Sequence, residues 1–235
     1  MARKYKPQVR YDGDASKYPS ARYSALDRAS CHAELSKRGI AFTVEEGAKG
    51  VLAPVRVRDR ISGVLFKTTA PPDEREQTPY EVFDCRLVLS LSDWSPFLLE
   101  RDIDEVLFFS AWRPPPKSFP SGKLATRHPG ALAIDVFRFG KRHIDAGAKR
   151  EWIDVERDFQ GRVKTPVCGK SAPKSPAKHA KALSKNSKHK TLRDLVCATA
   201  EAHLFTSILT PNYDRAHKNH LHLEIVPKVT WHLLR

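Results

Sequence analysis

A segment near the end of the chain, His220-Leu-His-Leu-Glu-Ile-Val226, alternates polar and apolar side chains without interruption. Successive side chains of a β-strand point to opposite faces, so this pattern predicts a strand with His220, His222 and Glu224 on one face. Leucine and isoleucine occupy the other face and need a core to pack against. The chain must therefore fold around a sheet with one apolar face and one face that carries titratable groups.

A second predicted strand, Ala131-Leu-Ala-Ile-Asp-Val-Phe-Arg-Phe139, has a carboxylate in the middle of an apolar run. Its alternation places Ala133, Asp135 and Phe137 on one face and Ile134 and Val136 on the other. A buried carboxylate is costly unless it is neutralised, paired or bound to a cation. Asp135 therefore needs a partner inside the fold.

Histidine and aspartate together form a ligand set that suits zinc. His128 precedes Asp135 by seven residues, and the His220 and His222 pair lies on the other polar strand. Three protein ligands with one open position are typical of catalytic zinc sites. A His-x-His pair by itself is equally typical of ordinary polar strand residues, so the prediction rests on the combination.

Helical patterns come first along the chain and strands around a polar line follow, which predicts an α+β fold. Helices are predicted at 24–39, 81–92 and 191–205, with Thr191 as a cap, and further strands within 40–58 and at 105–112. Residues 1–23 lack sustained periodicity and predict an extended N-terminal arm, which leaves 24–235 as one domain.

The net charge of +14 is concentrated in one segment. Residues 164–190 hold eight lysines and no acidic residue, with prolines and serines among them, which predicts a solvated loop insertion. The segment has no arginine and no aromatic residue, so nucleic acid is an unlikely partner. Generic attraction of anions and a specific tether for anionic envelope polymers are the two alternatives.

Membrane-spanning and export segments both depend on a continuous apolar stretch. No run approaches the roughly 18 to 20 apolar residues that cross a bilayer, so we expect no transmembrane segment. The residues after Met1 contain no apolar stretch typical of a signal peptide. Cys31, Cys85, Cys168 and Cys197 allow two disulfides, although four buried thiols in a reducing compartment fit the sequence as well.

Three separated motifs occur in a fixed order: Phe-Phe-Ser-Ala-Trp-Arg113-Pro, then Thr126-Arg-His-Pro-Gly-Ala-Leu-Ala-Ile-Asp135, then His217-Lys-Asn-His-Leu-His-Leu-Glu224. Together with Ser-Cys31-His-Ala-Glu-Leu and Asp-Cys85-Arg-Leu-Val-Leu, they resemble the extensin-like C-terminal family of bacterial proteins. That family is similar to the D-Ala-D-Ala carboxypeptidase and murein endopeptidase type of zinc peptidase, which shares its site with the hedgehog signalling domain. The resemblance covers about residues 24–226.

The resemblance implies helices packed on a small, mainly antiparallel sheet that carries a zinc (Zn2+) site. It implies that His128, Asp135 and His222 bind the metal and that His220 is the acid/base. Arg113 would hold a substrate carboxylate or the developing oxyanion, since a guanidinium fork matches a planar carboxylate.

Three further residues complete the predicted site. Glu224 is the second candidate base, with orientation of an imidazole as its alternative role. Thr126, which stands where the family usually has serine, and His217 are predicted to line the substrate cleft.

The function that the resemblance implies is hydrolysis of D-amino-acid-containing peptides of peptidoglycan, as a carboxypeptidase or endopeptidase. The alternative is a non-catalytic envelope-binding module of the same fold. A cell-wall substrate implies a periplasmic or extracellular location, where Cys31 with Cys85 and Cys168 with Cys197 could form disulfides.

Overall fold

The computed structural model describes residues 9–142, 149–169 and 187–235. These ranges contain six α-helices and eleven β-strands, which confirms the α+β class. The helices are α1 Pro19–Ser24, α2 Arg28–Lys37, α3 Pro72–Arg75, α4 Cys85–Leu99, α5 Val155–Asp158 and α6 Ser187–Glu201. The strands are β1 Val9–Arg10, β2 Phe42–Val44, β3 Pro54–Val57, β4 Leu65–Lys67, β5 Phe83–Asp84, β6 Ile103–Phe108, β7 Ala133–Lys141, β8 Trp152–Asp154, β9 Ser207–Leu209, β10 Leu221–Glu224 and β11 Trp231–Leu234.

The main sheet has eight strands in the described part of the chain, more than the small sheet that we expected. Its order is β1-β11-β9-β10-β7-β6-β4, and β8 also pairs with β7. The β11–β9 and β4–β6 pairs are parallel, and the other pairs are antiparallel. A second sheet has the order β2-β3-β5.

The two strands with polar faces are neighbours at the centre of the main sheet. In the antiparallel β10–β7 pair, His222 lies opposite Asp135 and Leu221 lies opposite Val136. A slip by one residue would turn the leucines out of the core, so burial of the apolar face sets this register. The register therefore places the carboxylate and the histidine in direct contact.

A β-bulge in β7 lies beside this contact. Leu107 of β6 pairs with Arg138 and Phe108 pairs with Val136, which leaves Phe137 as the extra residue. Bulges are common next to functional sites, where they redirect side chains. Phe137 stays partly exposed, while Phe139 returns to the buried side of the sheet.

Helix α4 packs against the apolar side of the main sheet. Trp94 is buried and makes ring contacts with Phe66, Phe139 and Phe205, which come from β4, β7 and the segment before β9. Its indole N–H donates to Thr199 Oγ1 of α6 at 2.8 Å, so the buried polar atom is satisfied. These contacts hold α4 and α6 against the central strands.

Three helix starts differ from the sequence prediction, and the first is that of α2, which begins at Arg28 rather than at residue 24. Helix α4 begins at Cys85 rather than near residue 81, because Pro79–Glu81 forms a 3-10 turn and Phe83–Asp84 joins the second sheet. Helix α6 begins at Ser187, four residues before the predicted cap Thr191. Most of the predicted lysine-rich loop, residues 170–186, lies outside the described residues.

The described part of the N-terminal region contacts the end of the chain. Strand β1 pairs with β11, and Tyr11 and Tyr18 stack on each other at 4.5 Å between ring centroids. Both rings also contact His203. In the ranges that the structure describes, no helix has the length and apolar character needed to cross a membrane.

Both expected disulfides are present. Cys31–Cys85 joins α2 to the first residue of α4, and both cysteines are fully buried. Cys168–Cys197 joins the segment after α5 to α6. The two bonds thus attach two helices to neighbouring parts of the fold.

Candidate metal centre

Three buried side chains converge on the polar face of the main sheet. Ligand atoms of His128, Asp135 and His222 all lie within 4.8 Å of one another. Strands β7 and β10 supply Asp135 and His222, and a 3-10 turn, His128–Gly130, supplies the third group. The structure therefore brings together the three residues that the sequence predicts as ligands, and this group could hold a metal ion.

The turn that carries His128 has an unusual backbone. Arg127 has a φ of 54° and Ala131 a φ of 52°, so residues on both sides of the turn adopt positive φ. Gly130 between them has no room for a side chain, because a Cβ there would lie 2.3 Å from the carbonyl oxygen of Ala125. This tight geometry turns the chain so that His128 faces the sheet.

A backbone hydrogen bond sets the orientation of the His128 ring. Its Nδ1–H donates to the carbonyl oxygen of Ala111 at 2.9 Å. The other ring nitrogen, Nε2, is buried and has no hydrogen-bond partner in the described residues, although Asp135 Oδ1 lies 3.2 Å away. A metal ion at this position would satisfy Nε2.

His222 lies between two carboxylates. Its Nδ1 is 2.9 Å from Asp135 Oδ1, and its Nε2 is 3.5 Å from Glu224 Oε2. Glu224 is buried, and its other oxygen lies 3.7 Å from Nε of Arg127. Glu224 therefore lies on the far side of the His222 ring from Asp135, in the position of a group that orients the imidazole.

The carboxylates change the protonation of this cluster. Burial alone raises the pKa of Asp135, but the contacts with His128 and His222 outweigh it and hold the pKa well below its usual range. Burial lowers the pKa of His222, but the hydrogen bonds to Asp135 and Glu224 outweigh it and raise the pKa to about 9. Without a metal ion, Asp135 is thus ionised, and a proton on His222 balances its charge at neutral pH.

The donor set fits a metal ion. Two imidazoles and one carboxylate are ligands that zinc and related divalent ions accept, and their open fourth position is typical of a catalytic site. Each imidazole has its second nitrogen next to an oxygen, from Ala111 in one case and from Glu224 in the other. Such outer contacts orient ligands in known metal sites.

His220 flanks the three ligands. Its Nε2 lies 3.5 Å from Asp135 Oδ1, and its Nδ1–H donates to Asn219 Oδ1 at 2.9 Å. Burial is the largest cause that lowers the pKa of His220; Asp135 raises the pKa, His217, His222 and Arg113 lower it, and the net pKa is about 4. His220 is therefore a neutral imidazole at pH 7, with the lone pair of Nε2 facing the centre.

Arg113 reaches the same cluster from another segment. Strand β6 ends at Phe108, five residues earlier than Arg113, so Arg113 does not lie directly at the strand end as the sequence suggested. Its backbone N–H donates to the His128 carbonyl at 3.1 Å, and its guanidinium contacts Asp135 Oδ2 and Ser110 Oγ. The side chain remains half exposed, which leaves part of the fork open to a ligand.

The two predicted cleft residues occupy different positions. The His217 ring lies 5.1 Å from that of His220 and 6.0 Å from that of His222, and Asp214 accepts a hydrogen bond from its Nδ1. Thr126 is exposed, two residues before His128, and its carbonyl accepts a hydrogen bond from Gly130. His217 thus borders the centre itself, and Thr126 borders the turn that supplies a ligand.

Sequence reasoning missed two contributors. The Ala111 carbonyl orients His128, but a backbone group leaves no residue-type pattern to detect. Phe109 lies 5.9 Å from the His220 ring, centroid to centroid, and 4.4 Å from Phe137. The Phe108-Phe109 pair in the sequence indicated only a buried strand, whereas Phe109 is 42% exposed.

Comparisons of the chain with models of known protein families, with curated proteins and with solved structures found no match. The resemblance in the three sequence motifs and the geometry of this centre are thus the two bases for a function.

Proposed function

We propose that the chain is a zinc-dependent peptidase of the extensin-like type that hydrolyses D-amino-acid-containing peptides of peptidoglycan, as a carboxypeptidase or endopeptidase. The observation that carries the proposal is the buried convergence of His128, Asp135 and His222 around an unpartnered imidazole nitrogen. Buried polar atoms without partners are rare and point to an absent ligand or to a functional role.

The metal would be held by Nε2 of His128, a carboxylate oxygen of Asp135 and Nδ1 of His222. Bound zinc supplies Lewis acidity, which polarises a carbonyl group and lowers the pKa of water. Asp135 binds as an anion, because its lowered pKa keeps it ionised at neutral pH. Glu224 keeps the His222 ring in place through Nε2, which supports the orienting role over the role of second base.

His220 is the residue that we assign to proton transfer. Because its pKa is lowered, the ring is neutral at pH 7 and its Nε2 accepts a proton at the centre. The hydrogen bond from Nδ1–H to Asn219 keeps the lone pair on Nε2. The protonated ring then donates to the leaving amine, so one residue serves as base and later as acid.

Arg113 binds the negative charge of the substrate. Its half-exposed guanidinium lies beside Asp135 and is held by Ser110. A carboxylate at a peptide C-terminus, or the oxyanion that forms during hydrolysis, matches the geometry of the fork. His217 and Thr126 complete the cleft on either side of the ligands.

The fold and the disulfides are consistent with this proposal. The site lies on an antiparallel strand pair, β7 and β10, with helices packed on the opposite face, and we assign this arrangement to the hedgehog and D-Ala-D-Ala peptidase type. Two disulfides are compatible with a periplasmic or extracellular protein, because they persist in oxidising compartments. Peptidoglycan lies in such a compartment.

The first test is metal content. Protein purified without added metal should contain one zinc ion per chain, and His222→Ala should lose it because two protein ligands would remain. His203→Ala serves as the matched control, since this half-buried histidine lies outside the cluster. Zinc content that is unchanged in His222→Ala would contradict the ligand assignment.

The second test is turnover. Zinc-loaded protein should release amino acids or peptides from purified peptidoglycan fragments, as measured by mass spectrometry. If the zinc-loaded protein cleaves none of them, peptidase function is wrong and the envelope-binding alternative replaces it.

A further inference from the structure

A groove with a volume of about 560 Å³ lies next to the metal centre. Tyr80 and Phe109 contribute two exposed aromatic side chains, 48% and 42% accessible. Polar side chains complete the lining, chiefly Thr69, Gln77, Thr78 and Glu74. The volume falls within the range of about 300–1,000 Å³ that is typical of ligand sites.

Phe109 connects the groove to the centre. Its ring lies edge to face with His220 and stacks on Phe137, at an angle of 9° between the ring planes. The backbone gives a second connection, because Ala111 N–H donates to the Tyr80 carbonyl while the Ala111 carbonyl accepts from His128. A ligand in the groove would therefore lie beside any substrate at the metal.

The groove is not basic, although the chain as a whole is. Among the residues that the structure describes, the lining contains no lysine or arginine, and its one charged side chain is the carboxylate of Glu74. Arg75 follows Glu74 directly in the chain, but its guanidinium is paired with Glu81 at 2.8 and 3.0 Å. An anionic ligand such as a phosphate or a nucleic acid would find no cation among these described residues, which favours a ligand without negative charge.

Hydroxyl, amide and carboxylate groups in a groove that two aromatic rings also line match one class of neutral molecule. The C–H face of a pyranose ring packs on an aromatic ring, because both surfaces lose contact with water. Its hydroxyl groups point outward from the ring edge, where Gln77 and the threonines can donate or accept and Glu74 can accept.

We propose that this groove is a carbohydrate subsite that binds a neutral sugar of the glycan to which the peptide substrate is attached. The link to the peptide rests on the proposed peptidase function. Sugar binding itself does not, because it needs neither the metal nor turnover. The substrate is then a glycopeptide, bound by its sugar in the groove and by its peptide at the centre.

The binding test uses the β-1,4-linked trimer of N-acetylglucosamine as a neutral probe and a heparin fragment as an anionic one. Amide chemical shifts should change at Thr69, Gln77 and Thr78 on addition of the trimer, and heparin should leave them unchanged. Phe109→Ala and Tyr80→Ala should each weaken binding of the trimer about tenfold.

Two control variants define the site. Leu124→Ala removes an exposed apolar side chain outside the groove and should bind the trimer as well as the wild type. His222→Ala should also keep full affinity for the sugar. Thermal unfolding of each variant checks that the fold is retained. Absence of trimer binding to the wild type, or binding of the trimer by Phe109→Ala and Tyr80→Ala as tight as by the wild type, would overturn the inference.

A kinetic test places the sugar relative to the peptide, and Tyr80→Ala is suitable because Tyr80 is not one of the residues assigned to the metal centre. For a sugar-linked peptide, KM should rise about tenfold with kcat unchanged, and for the free peptide both constants should stay unchanged. Equal changes for both substrates would show that the groove holds peptide. Trimer binding in a protein that cleaves no peptide would retain the sugar site and reject only the proposed function.

Discussion

The buried disulfide between Cys31 and Cys85 should contribute a large part of the stability of this protein. We consider the double variant Cys31→Ala/Cys85→Ala, which removes the bond between α2 and α4. The cross-link spans 54 residues of sequence. For a loop of that length, the chain-entropy relation gives about 4 kcal/mol of stabilisation at 25 °C, through restriction of the unfolded chain.

This contribution is large compared with the total free energy of unfolding of a domain. Domains have free energies of unfolding of about 5–15 kcal/mol, so loss of the bond would remove at least about a quarter. For a chain of this size, each kcal/mol corresponds to roughly 2–4 °C, and Tm should fall by about 8–16 °C. Loss of two fully buried sulfur atoms from the core adds to the effect.

Urea unfolding followed by tryptophan fluorescence measures the change, since Trp94 is buried in the core between three aromatic rings. The m-value should rise in the variant, because an unfolded chain without the cross-link exposes more surface. Wild-type protein unfolded under reducing conditions is the control, since it keeps the sulfur atoms of Cys31 and Cys85 and loses only the disulfide bonds.

A decrease in the free energy of unfolding of less than about 1 kcal/mol, with an unchanged m-value, would refute the reasoning from loop length. A large loss in the alanine variant but not in the reduced wild type would assign the effect to core volume instead. The second disulfide gives an independent comparison, because its 29-residue separation corresponds to about 3.5 kcal/mol by the same relation.

Three further predictions concern the site and the end of the chain. His220→Ala should keep its zinc and lose on the order of 10² to 10⁴ in rate, measured by mass spectrometry of peptidoglycan peptides; full activity would transfer the proton role to Glu224. Arg113→Ala should lose more kcat/KM for substrates with a free C-terminal carboxylate than for internal amides, and equal losses would argue against carboxylate binding. Burial lowers the pKa of His203 and of His232, whose rings lie 4.3 Å apart, so both are neutral in the folded protein. Their contribution to the free energy of unfolding is complete above the unfolded pKa of about 6.5 and is lost as the pH falls below it. When urea unfolding is compared at pH 8 and pH 5, the decrease in the free energy of unfolding should be smaller in His232→Gln than in the wild type.

Local pattern was sufficient to predict the two central strands and the faces of their residues. The alternation around His222 and Asp135 has a period of two, which only a strand satisfies, and the structure pairs these two residues directly. Helix boundaries were predicted less well. The residues before Cys85 have helical spacing, but β5 forms a ladder with β3 there, and this long-range pairing replaces the helix.

The extent of the sheet could not be predicted from periodicity. Strands β1, β8 and β11 are short, and each joins the sheet by pairing with a strand from another part of the chain. Short strands carry too few residues for a period to be recognised. Their existence depends on a neighbouring strand with unpaired backbone groups, which is a property of the folded chain.

The sequence by itself determined which residue types could form the centre, because a carboxylate in an apolar strand and histidines on an alternating strand each need partners. Only the tertiary structure decided how they are used. The Ala111 carbonyl selects the nitrogen of His128 that faces the centre, Glu224 lies behind His222, and Phe109 lies between the metal centre and a groove whose described lining has no basic side chain. These roles depend on distances across strands and loops. Residue order sets which groups a chain contains, whereas the packing of distant segments sets which of them meet.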